Sequence, residues 1–296
     1  MSVRAELLRL ALRLLVKRGT RIAAGAEGWR RSTALAERLV PRPPRSFDLE
    51  AVTAGGVKAE LVSWNGSARD ILYLHGGGYV LGSPLLFRDL TWRLAKSARA
   101  RVLCIDYRLA PEHPYPAALE DSIAAYRWLL GAAGSPNRIV VMGDSAGGGL
   151  ALAMLLKLRD EGTPLPGAVV ALSPWTDLTL TGASLRTNTE GGPTCKSEDF
   201  SIFAAWYLAG VDPSTPYASP LFGNLAGLPP VLIQVGSDEM LLDDSVRIAE
   251  KLRCAGGQVE LEIWPRMPHG WHLYARIVPE GQRAITQIGE FVQANT

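Results

Sequence analysis

Residues 139–149 read Ile139-Val-Val-Met-Gly-Asp-Ser-Ala-Gly-Gly-Gly149, and the chain runs on as Leu150-Ala-Leu-Ala-Met-Leu-Leu156. Residues suited to a strand stop at Gly143, one serine follows, and unbranched helix formers begin at once. A strand–serine–helix junction of this kind has the form of a nucleophile elbow, in which Ser145 takes a strained backbone and exposes its hydroxyl. Gly143 and Gly147, two positions either side, let neighbouring chain pass without a Cβ clash. Gly-x-Ser-x-Gly alone is equally the pattern of a plain tight turn, so its meaning depends on the rest of the chain.

About seventy residues earlier, the apolar run Ile71-Leu-Tyr-Leu74 enters His75-Gly-Gly-Gly-Tyr79. Acyl transfer through a serine ester builds negative charge on the carbonyl oxygen, which backbone N–H groups stabilise by several kcal/mol per donor. Without side chains, Gly77 and Gly78 can aim their amides into a cleft. Ala146, after the serine, offers a third amide at a helix N-terminus, where the dipole favours an anion.

These blocks, with Asp106-Tyr-Arg-Leu-Ala-Pro-Glu-His-Pro-Tyr-Pro-Ala-Ala-Leu-Glu-Asp121 between them, resemble the hormone-sensitive-lipase-like family of α/β-hydrolase carboxylesterases. Their order and spacing agree with the family, and Leu228-Pro-Pro-Val-Leu-Ile-Gln-Val-Gly236 extends the resemblance, which covers the chain from about residue 45 to its end. It implies that the Asp106–Asp121 block is architectural, with Arg108 and Glu112 as a buried ion pair near the oxyanion loop.

A serine hydroxyl needs a histidine base, and that base a carboxylate to fix its tautomer and stabilise the imidazolium. Of four histidines, His75 lies in the glycine loop and His113 in the architectural block, leaving His269 and His272 in Met267-Pro-His-Gly-Trp-His-Leu-Tyr274. His269 is preferred, since it follows the strand Val259-Glu-Leu-Glu-Ile-Trp264 in the chain order Ser, acid, His, and the family places its base in a similar His-Gly-aromatic loop. His272 then fills space or bonds to backbone. Four carboxylates follow the strand before it, in Val235-Gly-Ser-Asp-Glu-Met-Leu-Leu-Asp-Asp244. The family usually shows Asp-x-Leu-x-Asp there, and a gapless match sets Glu239 on the first aspartate, a departure the fold accepts. Asp238 is the rival, while Asp243 and Asp244 suit a helix start.

The chain has 296 residues, 47% of them hydrophobic and 20% charged, enough for one enzyme-sized core. Net charge is +2, but residues 1–45 hold 11 Arg/Lys and 3 Glu, a local +8 that leaves −6 on the remainder. The basic residues sit at helical spacing among leucines without aromatic stacking platforms, which reads as a solvated face and not a nucleic-acid footprint. Arg9, Arg13, Lys17 and Arg18 interrupt every apolar stretch, so neither a secretory signal (despite Ala24-Gly25-Ala26) nor a membrane-inserted span is expected; an Arg-rich amphipathic presequence stays open. Cys104, Cys195 and Cys254 form an odd set without metal-like spacing, which suits a reducing cytoplasm.

From Leu61 onward, short strands near 71–74, 101–105, 139–143, 168–173, 231–236 and 259–264 alternate with helical patterns. This predicts an α/β fold, a mostly parallel sheet covered on both faces, with an antiparallel entry near Leu61-Val-Ser-Trp64. Gly77, Ser145, Glu239 and His269 each follow such a strand, so all fall at the sheet's carboxyl edge, where open α/β sheets bind ligands. Two regions stand outside: helix-prone residues 1–45, ended by Pro41-Arg-Pro-Pro44, and an insertion over 181–217 holding Gly191-Gly-Pro193, Phe200, Phe203, Trp206 and Tyr207. Together they are expected to cap a core made of 46–180 and 218–296. The resemblance implies that the cap roofs the site and shapes an acyl pocket, with Tyr79, Trp206 and Tyr207 as candidates, although each could simply pack on the core.

The resemblance implies a serine carboxylesterase acting on short to medium acyl esters through an acyl-enzyme, with Ser145, His269 and Glu239 as triad and Gly77, Gly78 and Ala146 as oxyanion donors. Neither metal nor organic cofactor is implied, and the expected partner is a small ester. Lactones would use the same tetrahedral chemistry. A non-catalytic receptor on this scaffold is the reading from another class, which retention of His269 disfavours. Family members commonly form homodimers through terminal sheet edges, but no segment here marks an interface. A phosphate loop fails because Gly149-Leu150 stands where its Lys-Ser/Thr belongs.

Overall fold

The computed structural model describes residues 2–17, 25–189 and 196–296. Gly191-Gly-Pro193 and Cys195 therefore lie outside the described residues, as do Arg18 and Ala24.

The strands are β1 (Phe47–Ala54), β2 (Val57–Trp64), β3 (Arg69–Leu74), β4 (Ala100–Ile105), β5 (Ile139–Asp144), β6 (Ala168–Leu172), β7 (Val231–Gly236) and β8 (Val259–Trp264). They form one sheet in the order β1-β2-β4-β3-β5-β6-β7-β8, with β1 and β2 antiparallel and β3 to β8 parallel. Helices are α1 (Val3–Lys17), α2 (Gly25–Glu37), α3 (Pro84–Ala98), α4 (Ala117–Ala133), α5 (Ala146–Asp160), α6 (Ser184–Thr187), α7 (Ser197–Leu208), α8 (Leu242–Cys254) and α9 (Pro279–Asn295).

Why the central strands read as continuous apolar runs follows from their surroundings. Ile71 and Tyr73 of β3 pack with Phe87, Leu90 and Leu94 of α3 and Ile285 and Ile288 of α9. Leu72 and Leu74, pointing to the opposite face, pack with Ile123 and Tyr126 of α4 and Leu150 and Met154 of α5. A strand covered on both faces has no polar face to show. Beyond them, α8 closes the sheet over β6 and β7 through Ile248, Ala249 and Leu252.

The antiparallel entry is longer than Leu61–Trp64, because β1 and the first half of β2 precede it. β1 has an almost wholly exposed or half-exposed burial pattern, and it pairs with β2 alone at the sheet's edge. Phe47 rests on Trp64 and Trp92, with ring centroids 6.0 and 5.5 Å away, so its anchor is aromatic contact at one end.

Both segments outside the alternation dock onto the carboxyl-edge loops. Ala5 of α1 is buried with Met267, Trp271, Val278 and Ala284. In α2, Arg30 donates to the Val80 and Ala110 carbonyls, and Trp29 meets Phe203 of α7 edge-on at 5.5 Å. Phe203 in turn lies against Gly78, where an added Cβ would come within 2.4 Å of the ring.

Candidate active site

Ser145 sits between the last residue of β5 and the first of α5 with φ 54 and ψ −121, a backbone that costs a non-glycine residue on the order of 1–3 kcal/mol. Its neighbours over-determine it. The Ser145 amide donates to Leu172 O on β6 (2.8 Å), and its carbonyl accepts from Trp175 N (2.9 Å) and from Gly148 and Gly149 N (both 3.1 Å). Close approach does the rest, since a Cβ at Gly147 would lie 2.0 Å from Leu74 O, and one at Gly143 2.2 Å from Gly147 O. The β3 end and the first turn of α5 thus share a space that only glycine leaves open.

The loop after β3 is fastened to the same junction. Asp144 Oδ1 accepts from Tyr73 Oη and from Gly76 N, each at 2.8 Å. His75 is buried and stacks on Tyr107 at 4.3 Å, while Tyr107 Oη donates to its carbonyl. Desolvation pushes the His75 pKa down to about 4, so it is a neutral packing residue. Gly77 and Gly78 have φ 121 and 63, and no acceptor among the described residues takes up their amides or that of Ala146. His113 is exposed on the far part of the Asp106–Asp121 block.

Arg108 and Glu112 do not pair, contrary to the expectation from the resemblance. Arg108 binds Asp121 (2.8 Å) and Glu120 (3.2 Å), whereas Glu112 binds Arg30 of α2 at 2.7 Å. Neither is buried: their side chains are 44% and 51% exposed. Chain reversal through the proline-rich segment turns the two residues to different neighbours, one on α4 and one on the N-terminal region. Arg30, bonded to Val80 O as well as Glu112, is the residue that braces the glycine loop.

Glu239 is completely buried after β7 and accepts three hydrogen bonds: from Ser173 Oγ at 2.7 Å, Gly236 N at 2.5 Å and His269 Nδ1 at 2.5 Å. A carboxylate so satisfied is fixed in place, and it fixes the imidazole with Nε2 left for a proton acceptor's work. Asp238 turns the other way and pairs with Arg9 of α1 at 3.0 Å. His272 is buried with Nε2 2.8 Å from Gln234 Oε1, and desolvation lowers its pKa to about 3. Because Gln234 Nε2 already donates to Glu262 and to Ala284 O, Oε1 is its acceptor end and His272 carries the proton on Nε2. His269, His272, Ser173 and Asp144, the residue before Ser145, line one small cavity, so the ends of β5 and β6 and the loop after β8 converge, and Glu239 after β7 joins them through its bonds to Ser173 and His269.

Asp243 and Asp244 do begin α8, but their carboxylates hold chain as well as the dipole. Asp243 accepts from Ser184 N (2.9 Å), and Asp244, fully buried, accepts from Thr176 N (2.7 Å) and Asp177 N (2.9 Å). Burial raises the Asp244 pKa to about 7 against those amides. Asp243 ties the start of the 181–217 segment to α8, and Asp244 ties the loop after β6 to it. Ser173 is a site residue that no motif in the sequence marks, although it too follows a strand end and has a positive φ of 46.

Of the pocket candidates, Tyr79 and Tyr207 are each 1% exposed and stack on one another at 3.7 Å. Trp175 and Phe200 close round them, which makes the pair a packed seam between glycine loop and α7. Trp206 is the half-exposed one, tilted against Phe203.

Burial alone would lower the His269 pKa, but the Glu239 charge and hydrogen bond, reinforced by Asp144, carry it above the ordinary 6.5. A histidine that serves as a base must be neutral, so in that role His269 would lose activity as pH falls through the raised value. The acid limb of kcat/KM is expected to have its midpoint above 6.5, and in Glu239→Gln the midpoint should fall below the wild-type value. A pH–rate profile with a nitrophenyl ester measures both.

Among the described residues no group of three His, Cys, Asp or Glu is arranged to hold a metal ion, and no helix is long and apolar enough to cross a membrane. A model of the α/β hydrolase fold family matches residues 71–273. An acetyl-hydrolase of Streptomyces hygroscopicus is 48% identical over 248 residues, which cover 83% of this chain and 83% of that protein. An esterase of Acinetobacter venetianus is 37% identical over 256 residues, 86% of this chain and 84% of its own. The crystal structure of an esterase from the bacterial hormone-sensitive lipase family superposes with TM-score 0.92 at 43% identity, covering 100% of this chain and 99% of the other.

Proposed function

The chain belongs to the α/β hydrolase fold family, among the esterases of the bacterial hormone-sensitive lipase type, and is a carboxylic ester hydrolase; from this we propose that Ser145, His269 and Glu239 perform its reaction. Ser145 Oγ attacks the ester carbonyl while His269 Nε2 takes the hydroxyl proton, leaving a tetrahedral oxyanion and an imidazolium. Glu239 stabilises that imidazolium through Nδ1. The amides of Gly77, Gly78 and Ala146 hold the oxyanion, each donor worth about 3 kcal/mol. Collapse expels the alcohol, which takes the proton back from His269, and leaves the acyl group on Ser145. Water, deprotonated by the same nitrogen, then releases the acid and frees Ser145. The observation that carries this reading is the buried Glu239 carboxylate 2.5 Å from His269 Nδ1, at the edge where Ser145 stands on its strained turn.

We further propose that α1, α2 and residues 181–217 act as the cap over this site. Phe203 lies directly over Gly78 with Trp29 and Trp206 as its ring neighbours, and Tyr207 of the same helix stacks on Tyr79, so the ceiling beside the proposed oxyanion donors is low. A low ceiling supports short acyl groups, with Trp206 as the half-open wall. Along a series of nitrophenyl esters and lactones, kcat/KM is expected to peak at acetyl to butyryl and to fall about tenfold or more once the chain outgrows the space. A rise towards long acyl chains would contradict the assignment. Buried Cys104 and exposed Cys254, both free thiols, support a reducing, cytoplasmic setting.

A further inference from the structure

Ser173 lies one residue beyond the end of β6, between Leu172 and Pro174, and is buried. Its φ of 46 falls in the left-handed region that suits glycine, and the proline after it restricts the backbone further. Strain of this kind persists only where the surroundings fix it, and here the Ser173 amide donates to Gln234 O of β7 at 2.8 Å. What the strained turn delivers is a hydroxyl. Ser173 Oγ donates to Glu239 Oε1 at 2.7 Å, its sole hydrogen bond among the described residues.

The two oxygens of Glu239 are held unequally. Oε1 takes two donors, Ser173 Oγ from the end of β6 and Gly236 N from the end of β7, while Oε2 faces His269 Nδ1. One donor on Oε1 would leave the carboxylate plane free to swing about that single bond. A second, arriving from a different strand, fixes the plane and with it the direction of Oε2. Gly236 keeps the loop close, since a Cβ there would lie 2.0 Å from Met267 O and 3.2 Å from Glu239 Oε1. Ser173 and His269 line the same small cavity, so hydroxyl, carboxylate and imidazole form one contiguous group. We propose that Ser173 is a positioning residue for the ester hydrolysis: by holding Glu239 Oε1 it aims Oε2 at His269 Nδ1 and keeps the imidazole aligned for the serine proton. This role rests on Ser145, His269 and Glu239 being the reacting groups, and adds a fourth side chain to them.

The test is a double-mutant cycle on the full chain, read as kcat and KM for nitrophenyl acetate. Ser173→Ala is expected to lower kcat about tenfold or more and to leave KM within about twofold, the mark of a misaligned base and not of weaker binding. Ser173→Gly should lose as much activity yet melt above Ser173→Ala, because glycine accepts a φ of 46 readily; activity then follows the hydroxyl and not the stability. In the Glu239→Gln background Ser173→Ala should add no further loss, since there the hydroxyl only holds the amide oxygen and keeps the N–H₂ turned on His269. The proposal is overturned if Ser173→Ala turns over at the wild-type rate while Glu239→Gln does not, if Ser173→Gly is as active as wild type, or if Ser173→Ala lowers kcat by the same factor in both backgrounds. Wild-type turnover in Glu239→Gln would overturn the acid itself, and this role with it.

Discussion

Ser145→Ala is expected to lower kcat on nitrophenyl butyrate about 10⁶-fold while leaving the fold intact. The magnitude follows from what is removed: without Oγ there is no acyl-enzyme, and His269 has no proton to accept. Residual catalysis of roughly 10³-fold over water should persist, because the amides of Gly77, Gly78 and Ala146 that we propose hold the oxyanion remain. Stability separates this from an indirect effect. Alanine inherits the φ of 54, so Ser145→Ala should melt close to wild type. Ser145→Gly, equally inactive, should melt higher, since glycine adopts positive φ with little strain. Activity surviving in either variant would remove Ser145 from the mechanism.

Glu239→Gln is expected to lower kcat about 10⁴-fold with KM nearly unchanged. An amide at position 239 can still touch His269 Nδ1, but it cannot balance the imidazolium, and its N–H end favours the wrong tautomer. Ser173 Oγ and Gly236 N both donate to Oε1 while His269 Nδ1 meets Oε2, so in Glu239→Gln the amide oxygen is held by the first two and the N–H₂ is turned on the imidazole. Asp238→Asn should keep kcat within a few-fold. Its carboxylate pairs with Arg9 in a partly exposed bridge, a kind worth about 0–1 kcal/mol. The reverse result, turnover lost with Asp238→Asn and kept with Glu239→Gln, would put the acid one residue earlier and exchange the roles of the two carboxylates.

Strand-end logic makes much of the fold, and of the candidate site, legible in the sequence. Five strands from β3 to β7 announce themselves as apolar runs because each is covered on both faces, β8 shows the alternation Val259-Glu-Leu-Glu-Ile-Trp264 of a half-exposed edge strand, and the serine turn, the glycine loop, Glu239 and His269 lie beyond the ends of these strands. β1 escapes a search for apolar runs because it is a half-exposed edge strand, and its only signal is the short alternation Phe47-Asp-Leu-Glu50. Partners chosen by tertiary approach were equally hidden. Nothing in the Asp106–Asp121 block says that Arg108 meets Asp121 while Glu112 meets Arg30, 82 residues away. Asp244 looks like an ordinary helix-start carboxylate, yet Thr176 and Asp177 press their amides onto it from another loop. Ser173 could have been found by asking of β6 what was asked of β3, β5, β7 and β8. The basic, leucine-bearing N-terminal segment reads as a solvated face, and only the structure shows that Leu8 and Leu12 turn inward with Ala5 while Leu7 and Leu10 point outward.

The most direct measurement of the central claim, that a single hydroxyl is activated by His269 and Glu239, is the rate and site of covalent labelling by a fluorophosphonate, followed by peptide mass spectrometry. One equivalent is expected on Ser145 and none in Ser145→Ala, with labelling slowed by orders of magnitude in His269→Ala and in Glu239→Gln. An adduct on any other residue, or labelling of Ser145 at an undiminished rate once His269 is gone, would contradict that claim.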